Sequence, residues 1–254
     1  MWCPRLIKSK YRTSELVESL TKGIAVYETI RTYGGKPFAL IEHYKRLCKS
    51  LSYLKIEPPK LEEFESLVYD NLSDRIRIVY VYSGKLVNYI STEDSSDFIT
   101  DFVKIDFAKV RRADPKSMPA DLKSLGRPDI YLARLTKLDN YDVIMLGNHG
   151  QVCEGTFSNI FLVMDGTIVT PSLESGILDG ITRMHVIKFL GEIGIKTEER
   201  FVDPQEVFYA DEVFLTHTSR GIVPVDQIGN VKTKSTELSR RLSQQFEDYV
   251  KRIM

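Results

Sequence analysis

Five groups of residues in this sequence have the chemistry to hold and use a phosphorylated aromatic aldehyde. Glu154 opens the stretch Glu154-Gly155-Thr156-Phe157-Ser158-Asn159-Ile160-Phe161 and precedes an apolar run, where an unpartnered carboxylate is costly to bury. A salt bridge would satisfy it. So would a pyridine nitrogen, which a neighbouring carboxylate keeps protonated and electron-withdrawing. Lys123, in Asp121-Leu122-Lys123-Ser124-Leu125, follows a proline-bounded loop and can serve either as a Schiff-base amine or as a solvated lysine. Gly180-Ile181-Thr182-Arg183 opens a helical pattern whose free N–H groups and positive dipole end suit phosphate, with the Thr182 hydroxyl as a further donor. A plain N-cap at Thr182 is the other reading. Thr216-His217-Thr218-Ser219, after the apolar Val213-Phe214-Leu215, offers a second donor set, which a simple turn would also explain. Arg46 stands just off the apolar stripe of its helix, placed either to swing toward the same phosphate or to flank the helix in solvent. Taken together the groups suit pyridoxal 5'-phosphate.

The elements that position these residues fall into two halves. Ile24 to Tyr33 is rich in β-branched and aromatic residues, breaks at Gly34-Gly35 and resumes at Pro37 to Leu40, which predicts a hairpin, because a Gly-Gly pair supplies the positive φ a tight turn needs. Ile41, Tyr44, Leu47, Cys48, Leu51 and Leu54 recur at helical spacing up to Pro58-Pro59. A second helix is expected over Leu61 to Leu72, and strands over Arg75 to Tyr82 and Leu86 to Ile90. The polar, aperiodic stretch Ser91 to Asp101 reads as a connection between domains, giving a small α/β domain over 1–97 and a larger one over 98–254. In the second half strands are expected at Phe102 to Val110, Val143 to Leu146, Ser158 to Val163 and Val213 to Leu215. Helices are expected at Ile130 to Leu138, Thr182 to Glu192 and Thr236 to Arg252.

Composition narrows the function classes. With 254 residues, 43% of them hydrophobic, the chain can bury one large core or two smaller ones. Lys plus Arg and Asp plus Glu both total 35, so no net field favours nucleic acid or an anionic membrane, and any anion site must be local. Three cysteines, Cys3, Cys48 and Cys153, match neither a metal spacing nor a disulfide framework and fit reduced thiols in a cytoplasmic protein. No run reaches the roughly 18 apolar residues of a spanning helix, and the start lacks a signal-peptide core. Dinucleotide and P-loop glycine motifs are absent, and no histidine pairs with a nucleophile or suggests a metal site.

The ordered set Val26-Tyr27-Glu28-Thr29-Ile30-Arg31, His43-x-x-Arg46-Leu47, Leu122-Lys123, Glu154-Gly155, Ser158-Asn159-Ile160-Phe161, Gly180-Ile181-Thr182-Arg183 and Pro224-Val225 resembles the fold-type IV (class IV aminotransferase) pyridoxal-phosphate enzymes. These comprise branched-chain aminotransferases, D-amino acid aminotransferases and 4-amino-4-deoxychorismate lyases. The resemblance runs over almost the whole chain. It implies an α/β (α+β) fold of two domains, the larger with a barrel-like sheet, and a homodimer. It also implies that Lys123 forms the Schiff base and shuttles protons, and that Glu154 holds the pyridine nitrogen. Arg46, Ile181, Thr182 and Ser219 would bind the phosphate with Thr218 near it, and Tyr27 would line the substrate side.

Within the family, Arg127 four residues beyond Lys123 looks more like the lyase pattern than the Gly-Asn-Tyr of branched-chain enzymes. The favoured expectation is therefore a 4-amino-4-deoxychorismate lyase, releasing 4-aminobenzoate and pyruvate. The alternative is an amino acid aminotransferase, branched-chain or D-amino acid, passing an amino group to a 2-keto acid. A coenzyme-binding protein without turnover is a third reading, against which the pairing of Lys123 with Glu154 speaks. Two departures concern substrate recognition. Leu20-Thr21-Lys22-Gly23 replaces the family's Gly-Asp-Gly, and Tyr80 to Lys85 lacks an arginine that several members use for a substrate carboxylate. Arg127, Arg111 and Arg112 are candidates to compensate.

Overall fold

The computed structural model describes residues 5–6, 25–94 and 102–254. They form two compact units. The first holds the described residues up to 94 together with Asp121–Arg127, and the second holds 102 to Ala120 with Pro128–Ile253. The expected boundary at 97/98, like Cys3 and the segment Leu20 to Gly23, lies outside the described residues.

The first unit is a five-stranded antiparallel sheet in the order β1-β5-β4-β2-β3, built from β1 (Arg5–Leu6), β2 (Ala25–Tyr33), β3 (Lys36–Pro37), β4 (Arg75–Tyr82) and β5 (Leu86–Glu93). Gly34 and Gly35 make the expected turn, with φ of 57° and 79°. Helices α1 (Leu40–Tyr53) and α2 (Leu61–Tyr69) follow. Alternation decides what faces what. Val26 and Ile30 join Leu47 and Leu51 of α1 and Phe64 and Val68 of α2 in one core, while Ala25, Val81 and Val87 pack on the other face. Strand β5 runs past Ile90 to Glu93, so Ser91–Glu93 is sheet and not linker. Polar residues are accommodated there because Arg75 and Glu93 pair across the strands as an ion pair.

The second unit is a nine-stranded mixed sheet. It comprises β6 (Val103–Phe107), β7 (Asp142–Leu146), β8 (Val152–Gly155), β9 (Asn159–Met164), β10 (Thr167–Pro171), β11 (Thr197–Arg200), β12 (Glu212–His217), β13 (Gly221–Ile228) and β14 (Val231–Lys232). The order is β11-β10-β9-β12-β13-β6-β7-β8, with β14 on β13. Although β8 ends that order, it returns to β9 through the short turn 156–158, where the Gly155 N–H donates to the Ser158 carbonyl at 2.7 Å, so the sheet curls into a half-barrel. Inside lie Ile160, Leu162, Val213, Leu215, Val223 and Val225. The outer face is covered by α4 (Ile181–Glu192) and α6 (Glu237–Ile253), where Phe189 meets Phe246 and Tyr249. Burial on both faces explains why β9, β12 and β13 read as continuous apolar runs. Helices α3 (Pro128–Leu135) and α5 (Pro204–Tyr209) complete the unit. The fold matches the mixed α/β, barrel-containing architecture expected.

Candidate active site

In the first unit, Lys123 is fixed by the open edge of β2. The Tyr27 N–H donates to the Lys123 carbonyl at 3.1 Å and the Leu125 N–H to the Ala25 carbonyl at 2.9 Å, while Val26 and Ser124 form an antiparallel bridge. Three consecutive residues thus extend the sheet by a short edge. From the α1 side, the Lys123 N–H donates to Ser50 Oγ at 3.2 Å. The Lys123 ammonium lies 4.6 Å from the Tyr27 ring centroid, a cation–π distance. Lys123 is half-buried and Arg127 buried in the same unit.

On the α1 face of the sheet, Glu28 alternates with Val26 and Ile30 and is fully buried. Arg46 Nε donates to Glu28 Oε1 at 2.8 Å and Arg46 Nη2 to Oε2 at 2.7 Å, a bidentate pair. His43 Nδ1 lies 2.7 Å from Oε2, and since an ionised carboxylate only accepts, that nitrogen carries the hydrogen. Burial pushes the Glu28 carboxyl up, but the charge and hydrogen bonds of Arg46, with the His43 bond, outweigh it and hold it at about 2. Burial lowers His43. Arg46 is therefore a buried partner of Glu28 and not a solvated helix flank.

In the second unit, Glu154 is the third residue of β8, within a strand and not ahead of one. Both Nε and Nη2 of Arg112 approach Glu154 Oε1 at 2.8 Å, and Oε2 accepts from Asn159 Nδ2 at 3.2 Å and from the Leu178 N–H at 3.0 Å. Arg112 is itself buried and also reaches Asp129 at 3.3 Å. Its commitment to two carboxylates, and that of Arg111 to the Gly147 carbonyl at 2.5 Å, leaves the compensating role at a substrate carboxylate without support for either. The turn linking β8 to β9 is held by buried Asp142, which accepts from Thr156 Oγ1 and Ser158 Oγ at 2.7 Å and from the N–H groups of Val143 and Thr156 at 2.8 and 3.0 Å. Burial raises the Asp142 carboxyl against those donors. Burial, then the Glu154 charge, pushes the neighbouring Cys153 thiol up to about 12, so it is an inert packing group.

Helix α4 begins at Ile181. Its N-cap is Gly180, not Thr182, and no side chain caps it. Ile181 and Thr182 are buried in its first turn. Thr218 and Ser219 form the half-buried turn between β12 and β13. Asn159 ties these pieces together. It faces Thr216 across the β9–β12 ladder, and its amide donates to the Leu178 carbonyl at 3.1 Å, three residues before α4.

A family profile described as Amino-transferase class IV matches residues 25–228. The chain belongs to that family. A Thermotoga maritima protein named "Probable branched-chain-amino-acid aminotransferase" is 45% identical over 237 residues, covering 89% of this chain and 86% of that one. The aminodeoxychorismate lyase of Bacillus subtilis is 27% identical over 256 residues, covering 91% and 87%. A solved branched-chain amino acid aminotransferase from Thermobaculum terrenum, in its PLP-bound holo form, superposes with a TM-score of 0.77 at 25% identity, over 92% of this chain and 86% of that one. Class IV aminotransferases are pyridoxal-phosphate enzymes, and so is this chain.

Whether the residues fit that coenzyme is testable on the second unit itself. Opposed residues of an antiparallel pair share a face, so the Thr216 side chain lies on the Asn159 side of the sheet. Its buried hydroxyl has no hydrogen-bond partner among the described residues. That orphaned hydroxyl and the uncapped first turn of α4 offer donors for a phosphate, and the Glu154 carboxylate offers an acceptor for a pyridine N–H, so the residues fit a phosphorylated pyridine. Among the described residues, no three metal-ligating side chains come together and no helix is long and apolar enough to cross a membrane. Sequence reading missed Glu28, Asp142 and Asn159 as working residues. The one available signal was Glu28, an acid between apolar neighbours on the inward phase of β2.

Proposed function

We propose that this class IV aminotransferase transfers the amino group of a branched-chain amino acid to a 2-keto acid. The observation that carries it is the 45% identity to the Thermotoga protein over 89% of the chain, against 27% to the lyase. The lyase expectation rested on Arg127 and has weaker support. Pyridoxal 5'-phosphate, when bound, supplies an electrophilic aldehyde and an electron-withdrawing ring. Glu154, oriented by Arg112, Asn159 and the Leu178 N–H, accepts from the ring nitrogen. The N–H groups of Ile181 and Thr182, the Thr182 hydroxyl, Ser219, Thr218 and Arg46 hold the phosphate. Lys123 Nζ would be the covalent attachment point for the coenzyme aldehyde and, once the substrate amine displaces it, the base that takes the Cα proton and hands it to the coenzyme side, as transfer of the amino group requires. The Tyr27 ring, on the same face as Lys123, lines the substrate side. An amino acid is the substrate class, and a homodimer the working assembly.

Transamination between L-leucine and 2-oxoglutarate tests the assignment, run beside 4-amino-4-deoxychorismate. The expected result is glutamate formation by the wild type and a loss of at least about a hundredfold in Lys123→Ala, the contribution typical of a positioned base. Release of 4-aminobenzoate and pyruvate without glutamate formation would return the assignment to the lyase.

A further inference from the structure

We propose, resting on the reading of Glu154 and α4 given above, that Asn159 is a positioning residue that holds the ring carboxylate and the phosphate donors of the coenzyme at one fixed spacing. An amide nitrogen has two hydrogens, and both are used. Asn159 Nδ2 donates to Glu154 Oε2 at 3.2 Å and to the Leu178 carbonyl at 3.1 Å. The Leu178 N–H donates to the same Glu154 Oε2 at 3.0 Å, which closes a three-residue ring. Leu178 lies three residues before Ile181, so the ring joins β8 and β9 directly to the start of α4. The same asparagine is in register with Thr216 of β12, two residues before the turn that carries Thr218 and Ser219.

Gly180 supports the assignment from the other side. Its φ of −69° and ψ of 127° suit any residue, so conformation does not require glycine there. Space does. A Cβ at Gly180 would run into Asn159 Oδ1. The chain entering α4 therefore lies against the asparagine side chain, and the amide sets how far the helix start stands from Glu154. A ligand with two anchoring ends gains from both only when the protein presents them at the right separation, so loss of the spacer costs the joined ligand more than either half.

The test uses the full chain stripped of coenzyme and three probes without an aldehyde, so that Lys123 chemistry does not enter: pyridoxine 5'-phosphate, pyridoxine and inorganic phosphate. Asn159→Ala is expected to weaken pyridoxine 5'-phosphate about tenfold, the scale of one or two lost hydrogen bonds. Pyridoxine and phosphate measured singly should shift by less than about threefold. Gly180→Ala should reproduce the pattern, and on the Asn159→Ala background it should add little, because its clash partner is gone. Equal weakening of pyridoxine alone, no weakening of pyridoxine 5'-phosphate, or additive losses in the double variant would overturn the proposal. Pyridoxine binding unchanged in Glu154→Gln overturns the underlying assignment of Glu154 and the spacer with it, an outcome distinct from an intact Glu154 effect beside a silent Asn159.

Discussion

At the scale of single residues, the buried charges set the behaviour of the protein. Arg112 shares its guanidinium between Glu154 and Asp129 at almost no exposure. Arg112→Met should cost about 3–5 kcal/mol in urea unfolding, the cost of stranding a buried charge, with Arg112→Lys losing less. Glu28 and His43 give the native state an acid-side dependence. A histidine lowered in the folded state takes its proton later than in the unfolded chain, so stability falls as pH drops below about 6.5. Glu28, held at about 2, adds a second loss between its ordinary 4.5 and 2, on the order of 3 kcal/mol. Denaturant midpoints measured from pH 7.5 to 5 should therefore fall with acid in the wild type and flatten in His43→Gln; an equal slope in both would exclude His43. Chemistry at this scale was partly legible. Lys123, Glu154 and Thr182 stand out by type and company. The partners of Glu154 do not, because Arg112 is 42 positions away and Leu178 contributes only backbone.

At the scale of elements, the turn between β8 and β9 joins the strands that bear Glu154 and Asn159, and Asp142 of β7 holds that turn. Asp142→Ala would leave two hydroxyls and at least two N–H groups without an acceptor and should cost about 3 kcal/mol. Asp142→Asn should cost clearly less, because its oxygen still serves three of those donors and the buried charge is gone. Thermal unfolding of the two variants separates the cases, and equal losses would show that the charge itself matters. Helices and long strands were legible because period 3.6 survives in α1 and α6 and alternation in β2 and β4, whereas α4 is buried on several sides and was marked by its Gly-Ile-Thr-Arg opening. Strands β8, β10 and β11 were not, being only four or five residues long, and β11 pairs with β10 across the whole of α4. Pro224 hid β13. It sits opposite Phe214 before the pairing with β6 begins at Val225, so a strand contains a proline that sequence logic reads as a break.

At the scale of the whole molecule, two units of different architecture divide the candidate residues. Lys123, Tyr27, Arg46 and Arg127 belong to the first unit, and Glu154, Ile181, Thr182, Thr218 and Ser219 to the second. The seven residues Asp121–Arg127 pack with the first unit although the sequence reading groups them with the second half, since Leu122 and Leu125 bury against its two cores. Linear order cannot show such a return of the chain. Sedimentation velocity of the coenzyme-loaded protein should give twice the chain mass, as a homodimer requires; a single-chain mass would contradict it. The central claim, amino transfer with Lys123 moving the proton, is met most directly by one half-reaction. L-Leucine added to the coenzyme-loaded protein without a keto acid should convert the visible absorbance of the bound pyridoxal form to that of the pyridoxamine form, releasing the leucine-derived keto acid in equal amount. An unchanged spectrum with leucine and the other branched-chain amino acids would contradict the account.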